Sequence, residues 1–211
     1  MKARLLLIVG ILWVQPMLSC SHQSNPSDLH SSTANGESQH KVVQVDLHAE
    51  LDRIQKDLKS NPQSAPLHNQ AANVYDSLGD FQSFEREIQT AMTLDPENPI
   101  HPYIAYAVYK RRHATEKQTA VLDMALKIDP ANPFGHYERA SIFEDKKQWR
   151  DAFREYGVAQ ELIQHLKADA RNLNSDRLMY VDTRGNPFDV TFQEMHIADD
   201  IARVRGVQGR N

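Results

Sequence analysis

Three prolines stand 34 residues apart, at Pro62, Pro96 and Pro130, and each closes a run that reads as a helix: LKSNP, MTLDP and LKIDP. A fixed period of this length is the mark of stacked helix-turn-helix units, none of which buries its apolar face alone. The chain must therefore fold by piling each unit on its neighbour.

Before the first proline, Leu47, Leu51, Ile54 and Leu58 keep the spacing of an amphipathic helix that ends at Asn61-Pro62. This helix has no preceding partner and reads as a half-repeat capping the open end of the stack. A first full repeat, about residues 65 to 97, pairs a helix ending near Leu78 with one from about Gln82 to Leu94 across a turn at Gly79-Asp80. A second runs from about Pro99 to Ala131, with Thr115 and Gln118 spaced as a capping box at its second helix. A third starts at Pro133, and Gln164 stands where a fourth proline would fall. Without that breaker the last helix is expected to run on through Leu166 toward Ala170.

Beyond residue 171 the period changes. Apolar runs at 177–181 and 188–190 flank Asp182-Thr183-Arg184-Gly185-Asn186-Pro187, which predicts a small hairpin. An isolated hairpin is marginal in water, so this one must lean on the helices. Thr191 and Glu194 are spaced as another capping box, opening a helix to about Val204. Its Phe192, Met195, Ile201 and Val204 are expected to seal the stack.

Ala72, Tyr75, Gly79, Phe81, Ala91 and Pro96 in the first repeat, and Ala140, Phe143, Trp149, Ala152, Tyr156 and Ala159 in the third, resemble the tetratricopeptide repeat (TPR) family over about residues 44–165. Alanines at these places let two helices approach while large neighbours fill the gap. The resemblance implies an all-α, short α-solenoid of a half-repeat plus three repeats, with a C-terminal capping extension. Phe84 occupies a usually small position and predicts looser packing in the first repeat. The second repeat departs furthest, with Tyr106 and Gln118 at small positions and His113 in place of the turn glycine.

In the family so resembled, the first helices of successive repeats line a concave groove that holds peptides. The corresponding positions here are Asn69, Asn73 and Asp76, then Tyr103, Ala107 and Lys110, then Tyr137, Ser141 and Glu144. Asparagine amides pair with an extended backbone, and tyrosines give broad contact at low entropic cost. Members that grip a chain-end carboxylate carry Lys or Arg where this chain has Asn69, Tyr103 and Tyr137. The ligand implied is a neutral or mixed-charge segment of a protein partner, not an acidic chain end.

The first 19 residues read as an export leader: a basic start, an apolar run from Leu5 to Trp13, then Met17-Leu18-Ser19 before Cys20. The apolar run is too short to span a bilayer. The MLSC end resembles a bacterial lipobox, which implies lipidation of Cys20. Ser21 following it implies sorting to the outer membrane, with the protein facing the periplasm. Residues 21–40 hold one large apolar side chain, Leu29, and read as a flexible tether spanning on the order of 25 Å. The expected organisation is a leader at 1–19, a lipidated tether at 20–42, the helical domain at 43–170 and a capping segment at 171–211.

With Cys20 the sole cysteine, no internal disulfide is available. The net charge of −4 gives no footprint for nucleic acid. No phosphate loop, nucleophile elbow or metal-ligand spacing occurs, and the scattered His22, His30 and His40 lack ligand geometry, so no catalytic residue, metal or cofactor is expected. The strongest polar cluster is His196 with Asp199 and Asp200 on one helix face. Two alternatives to an adaptor follow. One is an enzyme with Asp182, His196 and Asp199 between the last repeat and the tail; the other is a structural subunit self-associating through the half-repeat or the final helix.

Overall fold

In the computed structural model, which describes residues 46–172, 178–182 and 184–209, Asp46 opens the first helix by accepting bonds from the free amides of His48 and Ala49. The helix, α1 (Leu47–Ser60), stops before Pro62, and three antiparallel pairs follow: α2 (Ala65–Leu78) with α3 (Phe81–Leu94), α4 (Ile100–Arg111) with α5 (Thr115–Ile128), and α6 (Pro133–Asp145) with α7 (Trp149–Asn172). The tail forms β1 (Met179–Val181), β2 (Pro187–Asp189) and α8 (Thr191–Gln208). The chain divides into two units, Met1–Val43 and Gln44–Asn211, and every described residue belongs to the second. The leader, Cys20 and the tether with its three histidines lie outside the described residues. Among the described residues no helix is long and apolar enough to cross a membrane.

The half-repeat, the three repeats and the lengthened last helix stand where the period puts them. At 24 residues, α7 is the longest helix described, as the missing proline requires. The repeats share a core built from residues of α2 to α6. Phe84, Tyr106, Leu122 and Ile88 fill it between α3, α4 and α5. A second core joins α6 and α7 to the tail through Tyr156, Ile163, Leu178, Val190, Ile197 and Val204. A third, around Ile54, Ala71 and Val74, seats the half-repeat on α2.

Several local expectations are overturned. Phe84 does not loosen the first repeat: it is fully buried, stacked on Phe81 at 5.7 Å and edge-on to Tyr109 at 6.2 Å. Its ring belongs to the core that also holds Ala72 and Ala105. Neither expected capping box forms, because each helix starts one residue earlier than the box requires. Ala114 precedes α5 with no side-chain cap, and Gln118 turns instead to the Tyr106 hydroxyl, to which its amide donates at 3.4 Å. Before α8, buried Val190 donates its N–H to the Leu178 carbonyl at 3.0 Å, so the hairpin fixes where the helix begins. Met195 points outward, 70% exposed, and Ile197 takes its place in the core beside Val204 and Ile201. The side chain of Phe192 is not among those described.

The turn residue of each pair is left-handed: Gly79 at φ +80°, and one and two periods on, His113 at +55° and Lys147 at +58°. The backbone of the turn is thus retained where glycine is not. A side chain in this region costs roughly 1 kcal/mol relative to glycine.

Candidate functional site

The face lined by α2, α4 and α6 is a grid, with one row of residues per turn of helix and one column per repeat. The row nearest the helix starts is Asn69, Tyr103 and Tyr137. Asn69 and Tyr103 are buried, at 9% and 4% exposure, and Tyr137 is half-buried. The middle row is Asn73 and Ala107, both exposed, and half-buried Ser141. In the last row half-buried Asp76 accepts bonds from Arg111 and Arg112, exposed Lys110 donates to Glu138 Oε2 at 2.5 Å, and half-buried Glu144 is held by Arg203 and by the Tyr156 hydroxyl at 3.0 Å.

The tail explains this pattern. Phe188 of β2 packs its ring 5.2 Å from Tyr103 and stacks on Phe134 at 6.3 Å. Asp200 of α8 accepts the Tyr137 hydroxyl bond at 2.9 Å, and Arg203 meets Glu144. Hence Tyr103, expected as a groove contact, is not presented to solvent. Of the nine expected groove positions, Asn73, Ala107 and Lys110 are the exposed ones. Burial raises the pKa of the Tyr103 and Tyr137 phenols, in Tyr137 with help from the Asp200 hydrogen bond, so both hydroxyls stay protonated.

At the covered end lies a polar cluster that the sequence did not announce. The Asn69 amide Nδ2 donates to His101 Nδ1 at 2.6 Å, and His101 Nε2 sits 3.6 Å from Asp95 Oδ2. Burial lowers the His101 pKa, with Asp95 opposing. The Asp95 carboxyl is held below its ordinary value by the Asn98 hydrogen bond and by Arg184 and His101. Three atoms here are buried without a hydrogen-bond partner: Asn69 Oδ1, His101 Nε2 and Tyr103 Oη. Each such orphan costs about 1–3 kcal/mol.

A second feature missed from the sequence is a clip between the helices of a repeat. His68 Nε2 donates to the Pro62 carbonyl at 3.0 Å while its Nδ1 lies 2.7 Å from Glu87 Oε2. Two periods on, His136 repeats this with the Pro130 carbonyl and Glu155 Oε2, both at 2.9 Å. Arg139 adds a donor to Glu155 at 2.7 Å. Burial works against the charge of Glu155, but His136 and Arg139 outweigh it and hold its pKa at about 2. The middle repeat has Pro102 and Val121 at these positions and no clip. The recurrence of histidine, glutamate and proline at matching places was the available signal.

The candidate enzyme site does not assemble. Asp182 is 5% exposed and its carboxylate accepts bonds from Arg184 N and Asn186 N, within its own turn. His196 and Asp199 are exposed on α8, and Asp200 is engaged by Tyr137 and Arg203. Among the described residues no three His, Cys, Asp or Glu side chains are grouped to hold a metal ion.

No family model matches the chain, and no curated protein matches it by sequence. Solved structures do resemble it. The crystal structure of MamA is 10% identical, covering 79% of this chain and 92% of that one with a TM-score of 0.50. The fold is a TPR solenoid. Also similar are MamA from Desulfovibrio magneticus RS-1 (14% identical, 78% of this chain and 87% of that one, TM-score 0.49) and YrrB, described as a TPR protein with an unusual peptide-binding site (12%, 76% and 78%, TM-score 0.49). At these identities the likeness is one of fold.

Proposed function

We propose that the protein is a lipid-anchored adaptor of the bacterial cell envelope that holds an extended segment of a protein partner on its inner face. The reading rests on one observation: Asn73 on α2 and Ala107 and Lys110 on the neighbouring first helix α4 are the exposed positions among the nine expected on this face. Asn73 offers an amide to a peptide backbone, Ala107 leaves space for the chain to approach, and Lys110 supplies a charge. Anchoring rests on the resemblance of Met17-Leu18-Ser19-Cys20 to a lipobox. The tether then holds the helical domain off the periplasmic side of the outer membrane. Binding, not catalysis, is the activity this surface suits.

A photo-crosslinking amino acid placed at Asn73 or Ala107 of the full chain in native membranes tests the adaptor reading. A discrete partner band is expected there and not from exposed Glu161 on α7. The same bands from all three positions, or none from the first two, would remove it. Anchoring is tested separately by Cys20→Ser, which should lose incorporation of labelled palmitate.

A further inference from the structure

The 34-residue period sets the starts of the second helices in register: Asp46 before α1, Asp80 before α3, Ala114 before α5 and Gln148 before α7. Each pair is antiparallel, so the turns within repeats share one edge of the stack and the loops between repeats share the other. Because α1 corresponds to a second helix, Asp46, where the chain enters this domain, lies on the edge of the turns. The far end of α8 returns to that edge, since Arg205 stands over the Phe153 ring at 5.3 Å, one turn into α7.

Charge is divided between the two edges. The turn of the second repeat reads KRRH from Lys110, and the turn of the third carries Lys146, Lys147 and Arg150, all exposed. The loops opposite carry Asp95, Glu97 and Asp129, and the chain as a whole is negative at −4. In the second repeat Arg111 and Arg112 share one carboxylate, Asp76, and Lys110 is taken by Glu138. In the third, Lys146, Lys147 and Arg150 make no ion pair among the described residues. Their neighbour Asp151 is held by Arg154 at 3.0 Å, and exposed Asp145 offsets one of the three. Two of these cations stand against local preference. Lys147 holds φ +58° where the first repeat uses glycine, and Arg150 lies in the first turn of α7, where the helix dipole disfavours positive charge. Neither is accounted for by the fold.

We propose that this edge rests on an anionic lipid surface, with Lys146, Lys147, Arg150 and Arg205 meeting the headgroup phosphates. Each Lys or Arg beside such a surface favours contact about five-fold. A few of them capture little from solution but suffice to orient a domain that is already anchored. With this edge down the helices stand upright, and the inner face opens sideways, where Asn73 and Ala107 can be reached. This rests on the reading of the chain as anchored through Cys20 and adds which surface of the domain the membrane meets.

The probe is the full chain with its single thiol, Cys20, coupled to a maleimide lipid in phosphatidylcholine vesicles containing about 30% phosphatidylglycerol or none. A photo-crosslinking amino acid at exposed Gln148 should label lipid about ten-fold more in the anionic vesicles than in the neutral ones. In the anionic vesicles it should also exceed the same group at exposed Glu97, on the opposite edge. Lys146→Glu with Lys147→Glu and Arg150→Glu should abolish the excess, as should salt at about 1 M, where the screening length is about 3 Å. Lys147→Gly, which relieves the turn and so keeps the fold, should lower it about two- to five-fold. Equal labelling from Gln148 and Glu97, equal labelling in both vesicles, or an excess that survives charge reversal overturns the proposal. The maleimide anchors the chain whether or not the cell lipidates it, so such a failure removes only the orientation. Palmitate incorporation that persists in Cys20→Ser removes the lipobox reading and is scored separately.

Discussion

The two ends of the inner face differ in kind although they come from the same repeat. Over the middle and end of α2 and α4, Asn73, Ala107 and Lys110 are open to solvent. Over the start of α4 and over α6, the equivalent positions are roofed by the tail, with Tyr103 under Phe188 and Tyr137 under Asp200. Repetition thus supplies the surface, and a non-repeating segment decides which part of it is available. In a stack where each unit touches only its neighbours, the final unit must be covered, and here the cover reaches back one repeat further.

The sharpest way to break this contrast is Gly135→Ala, at the covered end. A Cβ there would collide with Tyr103 Oη and stand 2.6 Å from Leu126 Cδ2, so the Tyr103 ring, Leu126 or the helices that carry them must shift. Urea unfolding should show a loss of about 2–3 kcal/mol despite the better helix propensity of alanine. If stability is unchanged, this packing is looser than its geometry implies.

Next in size is the clip. Glu155→Gln should cost about 2 kcal/mol, and Glu87→Gln less, because Glu87 lacks the counterpart of Arg139 and is more exposed. The pH dependence has a definite sign. Glu155 is held at about 2 against an ordinary 4.5, so its contribution is full above about 4.5 and fades as the pH falls through about 2. The stability gap between wild type and Glu155→Gln should close over that interval; a gap that stays constant down to the acid end would count against the clip.

Smaller and of opposite sign are the turns. His113→Gly and Lys147→Gly should each stabilise by about 0.5–1 kcal/mol, by relieving a left-handed side chain. A thermal scan in which either variant melts lower would show that the side chain makes good its strain. Smallest of all, Asn73→Ala at the open end should move stability by less than about 0.5 kcal/mol, as fits a residue kept for a partner rather than for the fold.

Much of the scaffold was legible because its signals are local. Pro62, Pro96 and Pro130 end helices by their own chemistry, and Gly79 marks its turn by permitting a positive φ. The clip was legible in principle, since His68 with Glu87 and His136 with Glu155 recur at matched places. The capping boxes misled because spacing alone does not fix where a helix starts: Val190 is tied to Leu178, and that bond sets the first residue of α8. Phe84 misled because a family's usual residue size is a statement about typical neighbours, and here Phe81 and Tyr109 pack against its ring.

By itself the sequence determined the number, order and approximate ends of the stacked helices, because a 34-residue period makes each unit's apolar stripe the partner of the next. Only the tertiary structure decided where the tail rests. Arg184 and Asp95 are 89 residues apart and follow no period, and the pairing of Phe188 with Tyr103 is written in neither segment alone. Contacts of that kind arise from the shape the finished stack presents, and they leave Asn73 open while Tyr103 is covered.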